Sequence, residues 1–461
     1  MVGFGRIALW VTTIALAVTL VLGAFHQRAV AGPAVPAGAA SPEDARHLGV
    51  GSCAGSTCHG RQEATGAVVR QDELMRWQDP ASPAGAHSRA WTVLNAPRGR
   101  AIAARLGIGD PGSSASCIGC HADPMAGTSP GVRLADGVGC EACHGGAAGW
   151  IASHAAVGGT HADNVRRGMV ALDDPRTRAS RCLDCHFGSD RPGQFVDHRI
   201  MAAGHPRISF ELDLFSTIQQ HWNEDADYAR RKRRPSAVRT WAVGQAAALT
   251  RALATFSGPR GTAGAFPEFY FFDCHSCHRR ISDDAGYRPA AVSNPGRPVP
   301  PGTPPFQDEN IIMLSAAAQV VAPAAGARFD RDSRAFHAAL TQGRPQALAA
   351  ARTLWGSADA LSAAFAAHAF GASETLAIVG AVANGAAARY TDYEASVQAV
   401  MAVDTLLSAL VHDGTVSADA AAGIRAEVNR AYAATRDPNA YRPLEFRAAI
   451  ARAGAAIRRL G

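Results

Sequence analysis

Lysine is all but missing from this sequence of 461 residues: Lys232 stands alone among 45 basic residues, the rest being arginine. Codon bias in a GC-rich genome explains that without invoking function, although arginine's rigid, always-charged fork suits carboxylate partners. Aromatic residues are scarce as well, at 7%, while alanine is abundant and favours helix. The expectation is a mainly α fold with much irregular loop. A strong excess of one charge is also lacking. The net charge is only +6 at pH 7, which gives no ground for a nucleic-acid partner. The one dense basic run, Arg230–Arg234, reads as a solvated loop, with a docking patch for an acidic partner as the alternative. No cysteine lies near the N-terminus, which excludes a bacterial lipid anchor.

What the N-terminus does have is an export pattern. Arg6 is followed by the apolar run Ile7–Leu22 and then by small residues at Ala29–Ala31, the charge, core and cleavage site of a secretory signal. The run has 16 residues, short of the roughly 20 residues a spanning helix needs. Residues 1–31 are therefore a signal peptide, with an N-terminal membrane anchor as the alternative. Cleavage removes Arg6 and Arg28 and no acid, taking +6 to +4. Either way, the rest of the chain is expected to be periplasmic or exported.

Ten cysteines in an exported chain ordinarily mean disulfides. Here they fall into five pairs: Cys53/Cys58, Cys117/Cys120, Cys140/Cys143, Cys182/Cys185 and Cys274/Cys277. Each second cysteine is followed at once by a histidine: His59, His121, His144, His186 and His278. Neither a disulfide framework nor a zinc ribbon needs a histidine there. Covalent haem attachment does. Two thiols add to the vinyl groups on one edge of the porphyrin, and the adjacent imidazole then reaches the iron from below. Four pairs have the standard spacing; the first, "CAGSTCHG", has two extra residues between its cysteines. The reading is five covalently attached haem c groups, with the extra residues looped out of the first site. Haem propionates then offer partners for the arginines.

Each iron has a second face. A histidine there gives a low-spin electron-transfer centre, and a missing one leaves a reactive iron. His47, His87, His154, His161, His198, His205 and His221 lie in or near the motif region. His275 is enclosed in its own "CHSCH".

The runs "CAGSTCHG…LMRWQDPASPAGAHSRAW", "SCIGCHADP", "DGVGCEACHGG…WIASHA" and "RCLDCH" resemble the tetrahaem cytochrome c-554 family. Its members are carriers that take electrons from hydroxylamine oxidation in ammonia-oxidising bacteria. The likeness spans about residues 50–190. It implies that His154, ten residues after His144, ligates the His59 haem, and that His87 faces the His144 haem. It implies an open iron at His121, with His161 and His198 as residues that could close it. It further implies that His205 and His221 serve the haems of His186 and His278, in an undecided order. The fifth motif, "FFDCHSCH", has no counterpart in those carriers.

Beyond the motifs, "NPGRPVPPGTPP" (Asn294–Pro305) cannot hold regular structure. The expected organisation is a pentahaem domain over 45–290, a Pro-rich linker over 291–328 and a helical domain over 329–461. Val397, Val400, Val403, Leu407 and Leu410 share one face of an expected amphipathic helix. Breaks near "TQGRP", "GAS", "HDGTVSADA" and "RDPNAYRP" divide the tail into five or six helices. The tail has no nucleophile triad, phosphate loop or di-metal motif. Two functions compete. One is an electron carrier between redox partner proteins, donor and acceptor, in a periplasmic or membrane-associated respiratory chain. The other is an oxidoreductase acting on a small nitrogen or sulfur species at a five-coordinate haem. The absence of Cys-x-x-Cys-Lys, the catalytic motif of pentahaem nitrite reductases, weighs against the second.

Overall fold

The computed structural model describes residues 46–63, 70–224, 228, 236–278, 297–300, 303–389 and 392–460. The chain divides into residues 1–44 and 45–461. The export segment Ile7–Leu22 and the basic run Arg230–Arg234 lie outside the described residues.

The fold is mainly α with irregular connections, and among the described residues the only β pairing is an isolated antiparallel bridge between Phe272 and Phe306. The motif-bearing half contains short helices: α1 (Glu73–Gln78), α2 (Pro97–Leu106), α3 (Ala115–His121), α4 (Cys140–His144), α5 (Ile151–Ala155), α6 (His161–Arg166), α7 (Pro175–His186), α8 (His198–Ala202) and α9 (Leu212–Ile218). The long α10 (Ala237–Ser257), α11 (Pro259–Thr262) and the short α12 (Cys274–Cys277) follow.

Local signals set where several of these begin. Asp174 accepts from the Thr177 amide and Pro175 takes the first position of α7. Asp197 accepts from Ile200 at the start of α8. Glu211 accepts from both Asp213 and Leu214 at α9. A cap of this kind stabilises a helix by about 1 kcal/mol, which matters most for helices too short to stand alone.

Apolar packing is concentrated elsewhere. The largest buried cluster takes Phe195 and then residues from α10 onward. Among the described residues, 46–190 contribute to the clusters only the buried Ala179, Leu183 and Phe187, with the half-buried Cys182 packed against them. The cluster is built by α10 with α13 (Glu309–Val321), α14 (Pro323–Ala339), α15 (Arg344–Ala367), α16 (Ala372–Arg389), α17 (Tyr393–His412), α18 (Ala418–Thr435) and α19 (Pro443–Ile457). Trp241, Phe256, Leu249 and Leu253 of α10 are fully buried in it. Gly244 lets α9 cross close to α10, since a Cβ there would come within 2.5 Å of the Leu212 Cβ.

Two features depart from a simple division into haem domain, linker and tail. α10 precedes the fifth motif yet is central to the bundle. α13 falls inside the 291–328 stretch and is buried along most of its length. In α17, Val400, Val403, Leu407 and Leu410 are buried as the face pattern requires, and Val397 is half-buried. Ala395, Ala399, Ala402 and Leu406 are buried too, so this helix is enclosed nearly all round. It is long and apolar enough to cross a membrane, but 72% of that window is buried inside the protein, as in a central core helix.

Candidate haem-binding sites

Four of the five Cys–His motifs sit on helices: α3, α4, the C-terminal end of α7, and α12. One helical turn places the two thiols of a C-x-x-C pair on the same side. The first motif instead forms a turn. The Cys58 amide donates to the Gly55 carbonyl (2.8 Å) and the His59 amide reaches back to Cys53 (3.1 Å), while Gly55, Ser56 and Thr57 are exposed. None of the ten cysteines is paired in a disulfide.

The motif histidines are each met by another histidine ring. His59 and His154 lie 6.1 Å apart between centroids, His87 and His186 6.3 Å, His121 and His205 6.3 Å. His144 and His221 lie 6.4 Å apart, and His198 and His278 6.0 Å. An imidazole nitrogen sits about 2 Å from a first-row metal, so two imidazoles on opposite faces of one metal set their centroids about 6 Å apart.

Hydrogen bonding fits the same chemistry. A metal-ligating histidine donates its other ring N–H to a carboxylate or carbonyl. His59 Nδ1 donates to Glu73 Oε2 (3.0 Å), His121 Nδ1 to the Ala90 carbonyl (2.7 Å), His205 Nδ1 to Pro206 (2.8 Å) and His221 Nδ1 to Gln219 (3.2 Å). Burial lowers the proton affinity of His87, His205 and His221, and holds His186 down at about 4. These rings are therefore neutral and competent to ligate. Phe210 and Phe215 pack on His186 at 5.0 and 5.4 Å. The histidine donors, the cysteine pairs without disulfides and the small apolar core of residues 46–190 together fit covalently held macrocycles.

The placement differs from what the c-554 likeness implied. His87 stands against His186, not His144, although its backbone carbonyl accepts from Val138 just before the third motif (3.0 Å). His205 and His221 stand at His121 and His144. The cause at His205 is visible: Arg98 and Arg105 of α2 donate to Gly204 and Ala203, holding that turn beside the helix leading into the second motif. His198, on α8, meets the fifth motif. Sequence reasoning offered it only as a residue that could close the His121 iron, and counting could have pointed to the fifth motif. Five motif histidines need five partners; His87, His154, His205 and His221 supply four. Of the remainder, His161 binds Asp173 at the surface and His47 is buried against Asp123.

Contacts between motifs also order the sites. The Cys53 thiol interacts with Cys140 and the Cys120 thiol with Cys185, whose carbonyl lies 4.0 Å from Cys120 Sγ. Burial raises the Cys182 thiol, which also feels its neighbour Cys143. The first, third, fourth and second sites are thus neighbours in that sequence, and α8 with its following turn links the second to the fifth. Two polar devices hold this together. The buried Glu141 carboxylate accepts from the amides of Leu48, Gly49 and Ala147 at 2.7–2.8 Å. Arg251 of α10 donates to Asp184 inside the fourth motif (2.6 Å). Gly193 and Gly119 allow the second motif to pack on the turn after the fourth: a Cβ on Gly119 would lie 2.7 Å from Gly193, whose φ is +74°.

Residues 52–145, which carry the first three motifs, match the family model described as cytochrome c554 and c-prime. No curated protein and no solved structure matches the chain significantly. With its motifs and paired histidines in view, the chain is similar over residues 52–145 to the cytochrome c554 and c-prime family.

Proposed function

We propose that this protein is a pentahaem electron carrier whose five irons are each held by two histidines: His59 with His154, His121 with His205, His144 with His221, His186 with His87, and His278 with His198. The observation that carries this reading is the set of five histidine pairs, all with centroids 6.0–6.4 Å apart. The haem groups supply reversible one-electron chemistry at iron. The chain's residues attach them through the ten cysteines, orient the imidazoles through their Nδ1 acceptors, and bury the fourth site beneath Phe210 and Phe215.

Two ligands per iron favour electron relay over substrate chemistry. Among the described residues each motif histidine has such a partner, His121 included, which supports the carrier over the oxidoreductase. The apolar run Ile7–Leu22 after Arg6 supports work outside the cytoplasmic membrane, between a donor and an acceptor protein. Ferric-state electron paramagnetic resonance with added NO, together with optical spectra of the reduced protein under CO, tests the reading. Five low-spin haems indifferent to both ligands are expected. A high-spin haem that binds ligand and turns over nitrite or hydroxylamine would replace the carrier with the enzyme.

A further inference from the structure

The fifth motif is built onto the helical bundle. The Asp273 amide donates to the Pro305 carbonyl (3.0 Å) and the Gln307 amide to Phe271 (2.9 Å), on either side of the Phe272–Phe306 bridge. Around this joint are five buried carboxyls: Asp273, Asp308 and Glu309 at the start of α13, and Asp392 and Glu394 at the start of α17. Two arginines face them. Arg207 reaches Glu309 (3.2 Å) and Glu394 (3.6 Å) and lies over the Tyr270 ring at 4.8 Å. Arg297 reaches Asp308 (3.0 Å) and Asp392 (2.5 Å).

Five acids against two bases leave three carboxyls without a balancing charge. Three oxygens of the cluster, Asp273 Oδ1, Glu309 Oε2 and Asp392 Oδ1, are buried with no hydrogen-bond partner. A buried, unpaired carboxylate is costly, and the group relieves that cost by holding a proton. Burial accordingly pushes Asp308 and Glu309 up to about 7, and burial together with Asp392 pushes Asp273 to about 8. Among the described residues no group of three ligands is arranged for a metal ion, so the occupant that fits is the proton.

The remaining ionisable neighbours are silent near neutral pH. Burial raises Tyr270, Tyr393 and Tyr441, and it lowers His337, which feels Arg297, to about 4. Arg447 lies close enough to Tyr441 to oppose that rise. The Cys274 thiol, raised to about 11 by burial, also feels Arg207, Glu394, Asp273 and Glu309. The field of the cluster therefore reaches the fifth attachment point.

Resting on the pentahaem reading, we propose that this carboxyl cluster is a proton-binding site coupled to the fifth haem, with Glu309 and Asp308 as its titrating members. One electron from the donor and one proton from solvent enter together; the only bond made is a carboxyl O–H, and both leave on reoxidation. The added negative charge raises the proton affinity of the nearby carboxyls.

The test is optical redox titration of the full-length holoprotein, five haems verified by mass, between pH 6 and 9. One of the five potentials is expected to fall as pH rises, by at most about 59 mV per tenfold change in proton activity. In the double variant Glu309→Gln, Asp308→Asn that slope should drop at least twofold with the other four potentials unchanged. A five-haem protein with no pH-dependent haem, or a slope unaltered in the variant, overturns the proposal. So does a potential that responds to chelator instead of pH. If the variant does not fold, proton uptake by the wild-type protein on reduction in weak buffer decides, and zero uptake is a refutation. A mass showing the fifth motif without haem overturns the underlying pentahaem reading instead.

Discussion

His87 and His186 lie 6.3 Å apart, ring to ring and at right angles, although 99 positions separate them in the chain. His221 meanwhile stands 6.4 Å from His144. Removing these two partners separately and together exposes the wiring. His87→Ala and His221→Ala should each open one haem to CO, and the double variant should open two. A double variant with one CO-binding haem would mean that both residues serve the same iron.

The hydrogen bond from His59 to Glu73 gives the first site an anionic partner, whereas His121, His205 and His221 bond to backbone carbonyls. Burial by itself would raise Glu73, but the bond to His59 brings it below the usual carboxylate range. An acceptor of this kind makes the imidazole a stronger donor and favours ferric iron. Glu73→Gln should raise one midpoint potential by tens of millivolts, on the scale of the about 59 mV that a tenfold change in a one-electron equilibrium represents. Redox titration showing all five potentials unmoved would remove Glu73 from the tuning of that site.

Every cysteine belongs to a motif, so the holoprotein should carry five haems and react with no thiol reagent. Intact-protein mass and alkylation under denaturing conditions measure both. Four haems with Cys53 and Cys58 alkylated would show that the longer first motif is not an attachment site.

Glu141 accepts three backbone N–H bonds from two separate segments. Charge-assisted bonds of this type contribute about 1.5–3 kcal/mol each, and the buried donors left behind cost more. Glu141→Ala should destabilise the fold by about 4 kcal/mol, read as a lowered urea midpoint. A change within error would assign those amides to other acceptors.

Stability should also depend on pH through the α13 acids. Burial raises Asp308 and Glu309 above their unfolded values, so the folded chain binds more protons than the unfolded one. The contribution is complete below the unfolded carboxylate range and is lost as pH rises through about 7. The urea midpoint at pH 5.5 should therefore exceed that at pH 8.5, with a smaller difference in Glu309→Gln. An identical difference in the variant would place the titration elsewhere.

The mainly α class, the five cysteine pairs and the histidine after each were legible because each rests on local spacing. A C-x-x-C-H pattern puts two thiols and an imidazole on one turn whatever surrounds it. Helix breaks at "TQGRP", "HDGTVSADA" and "RDPNAYRP" were legible for the same reason. The burial of α13 was hidden by the prolines before it, since proline bars helix only in its own neighbourhood. The role of α10 was hidden because it belongs to the bundle by packing while lying between two motifs in sequence.

By itself, the sequence determined how many attachment motifs there are and which histidine each carries. Only the tertiary structure decided which second histidine meets which motif. That pairing depends on long-range anchors, among them Arg98 and Arg105 on the Ala203–Gly204 turn and His87 bound at Val138. Imidazoles are chemically interchangeable, so nothing in the spacing of His87, His198, His205 and His221 distinguishes one iron from another. Their positions in space do.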